Sequence, residues 1–333
     1  MTKIAIVGTG AWGTALAMHA ANAGHRVALL GRRRDFVERL AATRRHPSLP
    51  GAPPVPGSVT VTTDPAAAFG SAAAVLWAVS VQATAAEAQR LAAALPSTVP
   101  LVSTSKGLEI GSKRRTSEIL AQATGRKDGL SVLSGPTFAA EVARALPAAA
   151  VVACADPELG PALQTLLSSA TFRLYRSTDV LGVEIAGASK NVFAIAAGIV
   201  DGLKLGQNTR AALLTRALAE IRRFGTALGG QPDTFAGLAG VGDLILTATG
   251  DLSRNRRVGL ALASGKSLAE AVESLGGEVA EGVATAGVLV ELSRSVNVEM
   301  PIAEIVVEIL SGTKTPEEAV AALMTRRLKK ENV

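Results

Sequence analysis

A chain of 333 residues has room for two domains at about 100–200 residues each. Its apolar share of 48% supports a sizeable core and excludes wholesale disorder. Lys and Arg outnumber Asp and Glu by 34 to 28, a net charge of +6, but acids interleave with the basic clusters at 32–45 and 326–330 and no nucleic-acid recognition motif appears, so the excess points to anionic small molecules rather than nucleic acid.

The chain opens directly on an apolar strand, with no basic leader and small-residue cleavage site. Short β-branched and aliphatic runs at 3–8, 26–31, 59–63, 73–80, 99–105 and 130–135 read as strands. Ala- and Leu-rich segments such as 12–23 and 82–94 read as the helices between them. This alternation predicts an α/β domain, a doubly wound, mainly parallel sheet with helices on both faces. One segment breaks the rhythm: 46–57, "HPSLPGAPPVPG", holds five prolines, cannot be helical and reads as a surface loop. The lone cysteine, Cys154, lies in the apolar run 148–156, which makes it a buried small hydrophobe and excludes a disulfide framework. The three histidines form no close pair, so no metal site is expected. After a last strand at 172–177 the pattern becomes helical, with segments near 184–200, 209–228, 255–264, 283–296, 301–311 and 316–323 and Gly-rich connections at 229–230, 237–242 and 276–277. The expected division is a dinucleotide-binding domain over 1–182 and an all-α substrate-binding domain over 183–333. No apolar run reads as an integral membrane segment, and the protein is expected to be cytoplasmic.

The strongest local signal is Gly8-x-Gly10-x-x-Gly13 between the first strand and a helix of small residues. Gly8 makes the tight turn, Gly10 lets a pyrophosphate approach the backbone, and Gly13 lets helix and strand pack closely. The helix N-terminus then offers amides to the phosphates. An NAD-selective site would place an acid at the end of the second strand, ~20 residues further on. Here that strand runs into Arg32, Arg33 and Arg34, with Asp35 behind them. Arginines match a 2′-phosphate, so NADPH is expected to be preferred and NADH to be possible; a solvated basic helix start is the alternative.

Three further segments place polar groups in apolar surroundings. Lys106 in "STSKGLE" follows a strand and so lies at the carboxyl edge of the sheet, where open α/β folds bind ligands. In "SGPTFAAEV", Gly135 and Pro136 fix a turn and Thr137 either caps the next helix or serves a site. Lys190 stands within a small, apolar helix. Buried there, it would have a lowered pKa suited to proton transfer; at the helix edge it would snorkel to solvent. Asp243 lies in an apolar stretch and needs a burial partner, for which Lys190 is the natural candidate. Ser253, Arg254 and Asn255 precede an apolar helix, combining an N-cap, a helix N-terminus and a guanidinium into a phosphate site or an ordinary cap.

Together "GTGAWGTALA" (8–17), "SKGLE" (105–109), "SGPTFAAEVA" (134–143), "GASKNVFAIAAGIVDGL" (187–203), "GLAGVGDLILTATG" (237–250), "SRNRR" (253–257) and "VAEGVATA" (279–286) resemble the bacterial-type NAD(P)-dependent glycerol-3-phosphate dehydrogenases, in order and over almost the whole chain. The resemblance implies a Rossmann-like domain joined to a helical domain, a homodimer, and interconversion of dihydroxyacetone phosphate and sn-glycerol 3-phosphate without a metal. It implies Lys190 as the proton donor and acceptor. Lys106, Gly135, Thr137, Lys190, Asp243, Ser253, Arg254 and Asn255 would contact the small phosphate substrate. Beside the glycines Gly8, Gly10 and Gly13, the residues Ala11, Trp12, Arg32, Arg33, Lys106, Ala139, Arg254, Val279 and Glu281 would contact the cofactor. A related two-domain β-hydroxyacid reductase, or a catalytically silent NADPH sensor, stays open as an alternative at this point.

Overall fold

The computed structural model describes residues 2–126, 129–328 and 330–331. Eight strands form one sheet: β1 (Lys3–Val7), β2 (Arg26–Leu30), β3 (Val59–Thr62), β4 (Ala72–Trp77), β5 (Leu101–Ser103), β6 (Leu130–Ser134), β7 (Ala148–Cys154) and β8 (Phe172–Ser177). Their order is β3-β2-β1-β4-β5-β6-β7-β8, parallel throughout except for the antiparallel pair β6–β7. Every run read as a strand lies on one of them, and Cys154 closes β7 as a buried residue. The alternation of side chains along β1 explains why these runs are apolar without a break: Ile4 and Ile6 enter one core layer, Ala5 and Val7 the other.

The helices that cover the two faces are α1 (Ala11–Asn22), α2 (Arg34–Thr43), α3 (Pro65–Phe69), α4 (Val81–Leu91), α5 (Thr116–Thr124), α6 (Ala139–Ala143) and α7 (Leu159–Leu167). The proline-rich segment is a loop between α2 and β3, held down by Arg44, whose Nε donates to Val55 O at 3.0 Å and Nη1 to Val59 O at 3.0 Å. The strand order reverses between β1 and β4, which opens the ligand crevice at their carboxyl ends.

Beyond the sheet the chain is helical: α8 (Val180–Gly202), α9 (Gly206–Ala227), α10 (Pro232–Ala236), α11 (Asp243–Thr249), α12 (Arg254–Ala263), α13 (Leu268–Glu273), α14 (Glu281–Ser295), α15 (Pro301–Leu310) and α16 (Pro316–Met324). Helix α8 starts earlier than its apolar run because Asp179 caps it, accepting from Gly182 N at 2.8 Å. It is long and apolar enough to cross a bilayer, yet its apolar stretch is entirely buried, with α9, α11, α12 and α14 around it. Glycines set its closest approach. A Cβ on Gly198 would lie 2.1 Å from Arg256 O, and one on Gly259 would lie 2.1 Å from Ile195 O, so α8 and α12 touch backbone to backbone. Glu184 ties α8 to the sheet domain, accepting from Ser117 N at 2.9 Å and from Arg115 Nη1 at 2.7 Å. Of the basic tail, Lys329, Asn332 and Val333 lie outside the described residues.

One connection differs from expectation. Residues 237–242 do not form an open glycine loop but a π-helical turn, Leu238–Gly242, that runs straight into α11. Gly240 permits it, since a Cβ there would lie 2.0 Å from Phe235 O. The wider turn delivers Asp243 to the first position of α11.

Candidate active site

The turn 8–10 has the geometry that a dinucleotide requires. Gly8 has φ +112°, and a Cβ on it would lie 2.4 Å from Ala78 O at the end of β4. A Cβ on Gly13 would lie 1.9 Å from Gly8 O. Gly10 by contrast faces open space, with nothing within 4 Å of a built Cβ. It is the N-cap of α1, and no side chain caps the helix, so the first-turn amides at Ala11, Trp12 and Gly13 are available to an anion. Trp12 Nε1 is buried without a hydrogen-bond partner among the described residues.

The three arginines after β2 divide into three roles. Arg34 opens α2 and pairs with Glu38 at 2.8 Å. Arg33 lies 5.2 Å from the Phe36 ring centroid. Arg32 is exposed and makes no hydrogen bond or ion pair among the described residues.

The chemistry-bearing residues converge at the junction of sheet and bundle. Lys190 projects from the middle of α8 and is buried, not snorkelling. Its Nζ donates to Asp243 Oδ1 at 2.8 Å and to Thr247 Oγ1 at 2.6 Å. Lys106, in the loop after β5, donates to Asp243 Oδ2 at 2.7 Å and to Gly135 O at 2.8 Å. One buried carboxylate thus bridges two ammonium groups. Each ammonium has three N–H bonds and uses two on these partners, leaving one for a ligand. Burial lowers the Lys190 pKa to about 8; Lys106 and Arg254 push the same way, and Asp243 opposes them. Burial raises the Asp243 carboxyl, but the two lysines outweigh it and hold it below its ordinary value.

Gly135 needs its glycine: φ is +147°, and a Cβ would lie 2.8 Å from Ala150 Cα. Thr137 does not cap a helix. Phe138 is the N-cap position of α6, and Thr137 Oγ1 instead donates to Gly135 O at 3.1 Å, the same carbonyl that Lys106 holds. Ser253 is the N-cap of α12, accepting from Arg256 N at 3.2 Å, so Arg254 and Asn255 form the helix's first turn rather than precede it. Among the neighbouring arginines, Arg256 binds Asp201 at 2.8 Å and Arg257 binds Glu278 at 3.3 Å. Arg254 has no such partner among the described residues, and its charge reaches both Lys190 and Glu281.

Two residues outside the sequence reading complete the cluster. Thr247 sits one helical turn after Asp243, the i,i+4 spacing that could have revealed it. Asn191 links three segments: its Nδ2 donates to Lys106 O at 3.1 Å, and its Oδ1 accepts from Asn255 Nδ2 at 3.0 Å. Asn255 Oδ1 in turn accepts from Gly282 N at 2.9 Å. Glu281, which opens α14, carries a buried Oε2 with no partner among the described residues. Burial raises its carboxyl pKa against the pull of Arg254 and of the Val81 amide. That oxygen lies 3.4 Å from a Cβ built on Gly107, so Glu281 stands beside the Lys106 loop. Ala139 opens α6 and is part-buried, Val279 is half-exposed just before α14, and Arg32 and Arg33 stand apart at the end of β2.

The residues present fit a nicotinamide dinucleotide: open space at Gly10 over uncapped amides and, among the described residues, no ion pair on Arg32 at the β2 end and no hydrogen-bond partner for Trp12 Nε1 or Glu281 Oε2. Among the described residues, no group of three or more His, Cys, Asp and Glu could hold a metal ion.

Known proteins are similar to this chain over nearly its whole length. Residues 3–160 match the family model for the NAD-dependent glycerol-3-phosphate dehydrogenase N-terminus, and residues 179–321 match that for the C-terminus. A glycerol-3-phosphate dehydrogenase (NAD(P)+) of Bradyrhizobium sp. is 49% identical, with 98% of each chain covered. One from Aromatoleum aromaticum is 48% identical over 99% of this chain and 100% of its own. The crystal structure of glycerol-3-phosphate dehydrogenase from Coxiella burnetii superposes with a TM-score of 0.92 at 37% identity, covering 98% of this chain and 99% of that one. Matched by both halves of the family and by relatives of its full length, this chain belongs to the NAD-dependent glycerol-3-phosphate dehydrogenases.

Proposed function

We propose that the protein reversibly reduces dihydroxyacetone phosphate to sn-glycerol 3-phosphate, the backbone precursor of phospholipids, using NADPH in preference to NADH. The observation that carries this reading is the buried Lys106–Asp243–Lys190 bridge, with one N–H left on each ammonium. A reduced nicotinamide dinucleotide held over the glycine turn would supply the hydride for the ketone carbon. As negative charge grows on the ketone oxygen, a preorganised cation stabilises it, and an ammonium with a pKa near neutrality can then release its proton. With a pKa of about 8, Lys190 suits both directions, as donor in reduction and as acceptor in oxidation. Asp243 orients both lysines, and Thr247 fixes the Lys190 head between two oxygens. Arg254, beside the Ser253 cap, suits the far phosphate, so that binding of a non-reacting group positions the carbonyl. The unpaired Arg32 supports the preference for a 2′-phosphate. Family resemblance supports a cytoplasmic location and a homodimer, the latter tested by sedimentation of the purified protein.

The deciding experiment is loss of absorbance at the NADPH band with dihydroxyacetone phosphate, run beside NADH. Rapid NADPH oxidation with a slower NADH reaction is expected. Tight NADPH binding without oxidation of either cofactor overturns the reading in favour of a silent sensor or another reductase.

A further inference from the structure

The proline-rich loop 46–57 has no role in the site as described, yet its first residue reaches the glycine turn. His46 Nε2 lies 3.1 Å from Thr9 O, and Thr9 is the residue between Gly8 and Gly10. His46 Nδ1 lies 3.1 Å from Ser48 N. A backbone amide can only donate, so Nδ1 is the acceptor and the ring proton is on Nε2, donating to Thr9 O. The ring is held edge-on to Phe36, with centroids 5.4 Å apart, and Arg33 and Arg39 lie over the same Phe36 ring. The Thr9 side chain is pinned as well, because a Cβ on Gly31 at the end of β2 would lie 2.6 Å from Thr9 Cγ2. Thr9 is therefore gripped by its carbonyl from the loop and by its side chain from the residue before Arg32.

We propose that His46 is a positioning residue for the dinucleotide, clamping Thr9 so that the pyrophosphate turn is held at a fixed spacing from the arginines at the end of β2. This rests on the reading of the protein as NADPH-dependent. Only the neutral Nε2–H form can hold both bonds. Protonation would place a hydrogen on Nδ1 facing the Ser48 amide, two donors in opposition. The charged groups around His46 are Arg45 beside it in the chain, Arg33 and Arg39 across Phe36 on the α2 side, and Glu278 from the segment before α14. Burial lowers the His46 pKa, while the Thr9 bond and Glu278 oppose that shift. The clamp is thus intact at neutral pH and lost in acid.

The test is direct titration of the apo-protein with NADPH and NADH, read from tryptophan fluorescence, since Trp12 stands in the first turn of α1. His46→Ala is expected to weaken NADPH about tenfold and NADH by about threefold, the scale of one hydrogen bond and its positioning effect. His46→Gln, whose amide can still donate to Thr9 O, should recover NADPH affinity to within about threefold of wild type. As pH falls from about 6.5 downward, where an imidazole held below its ordinary value takes up its proton, the wild-type protein should lose NADPH affinity more steeply than His46→Gln, which controls for titration of the 2′-phosphate itself. Unchanged affinity in His46→Ala, no recovery in His46→Gln, or equal pH slopes in wild type and His46→Gln overturns the proposal. If His46→Ala does not fold, the two pH slopes decide. A wild-type protein that binds neither dinucleotide overturns the NADPH reading itself, and the clamp with it.

Discussion

Lys190 Nζ lies 2.8 Å from Asp243 Oδ1, and both side chains are buried. The second oxygen of that carboxylate is taken by Lys106, so two cations share one anion. The surplus positive charge is what the proposed reaction, with an anionic substrate and a developing oxyanion, would require. It also explains why the Lys190 pKa settles at about 8: burial removes it from water, Lys106 and Arg254 repel its proton, and Asp243 keeps the shift from going further.

In the proposed mechanism Lys190 is the proton donor, so replacing it should remove proton transfer and leave the dinucleotide turn untouched. Lys190→Ala is expected to lower kcat by roughly a hundred- to ten-thousand-fold, the range for a general acid, with NADPH binding changed by less than about threefold. Near-normal turnover in this variant would remove Lys190 from proton transfer.

The two directions should respond oppositely to pH. If Lys190 is the proton donor as proposed, reduction needs its ammonium, so the rate should hold below and fall as pH rises through about 8. Oxidation needs the free amine and should rise through the same point. In Asp243→Asn the carboxylate that raises the Lys190 pKa is gone, so the falling limb of the reductive profile should move to lower pH. The same change leaves two lysines uncompensated and should destabilise the fold by about 3–5 kcal/mol. A limb unmoved in Asp243→Asn would assign it to another group.

Arg32 has no competing partner among the described residues, whereas Arg33 lies over Phe36 and Arg34 pairs with Glu38. Arg32→Ala should therefore weaken NADPH about tenfold or more, the scale of a charge-assisted phosphate contact, and change NADH by less than about twofold. Equal losses for both cofactors would contradict a 2′-phosphate contact.

Strands, glycine turn and lysines were legible because each rests on local chemistry. A parallel strand buried on both faces must be apolar, a tight turn against Ala78 must be glycine, and a lone Lys in an apolar helix asks for a partner. What was less legible has a common origin in tertiary contact. Thr137 reads equally as a cap or as a site residue until the Gly135 carbonyl is seen beside its hydroxyl. The stretch 237–242 looks like a loop because its Gly240 answers to the Phe235 backbone, which sequence spacing does not display. Asn191 is silent for the same reason, since its partners Lys106 and Asn255 lie far from it in the chain.

A stability prediction comes from a buried acid remote from the site. Glu220, on α9, accepts from Ile302 N at 2.9 Å and Ala303 N at 3.4 Å, the first free amides of α15 behind Pro301. Burial pushes its carboxyl up to about 7 from 4.5, with Glu304 adding to the shift and Arg223 and the two amides opposing it. The folded state thus binds this proton more tightly than the unfolded state. The stabilisation is fully present below about pH 4.5 and is lost as pH rises through about 7. Its size is on the order of 3 kcal/mol at most. Glu220→Gln keeps an acceptor for the α15 amides but carries no titrating group. Its Tm relative to wild type should therefore rise between about pH 5 and pH 8, because only the wild-type protein must bury a charge at the higher pH. A Tm difference that stays constant across that range would show that Glu220 titrates alike in the folded and unfolded chains.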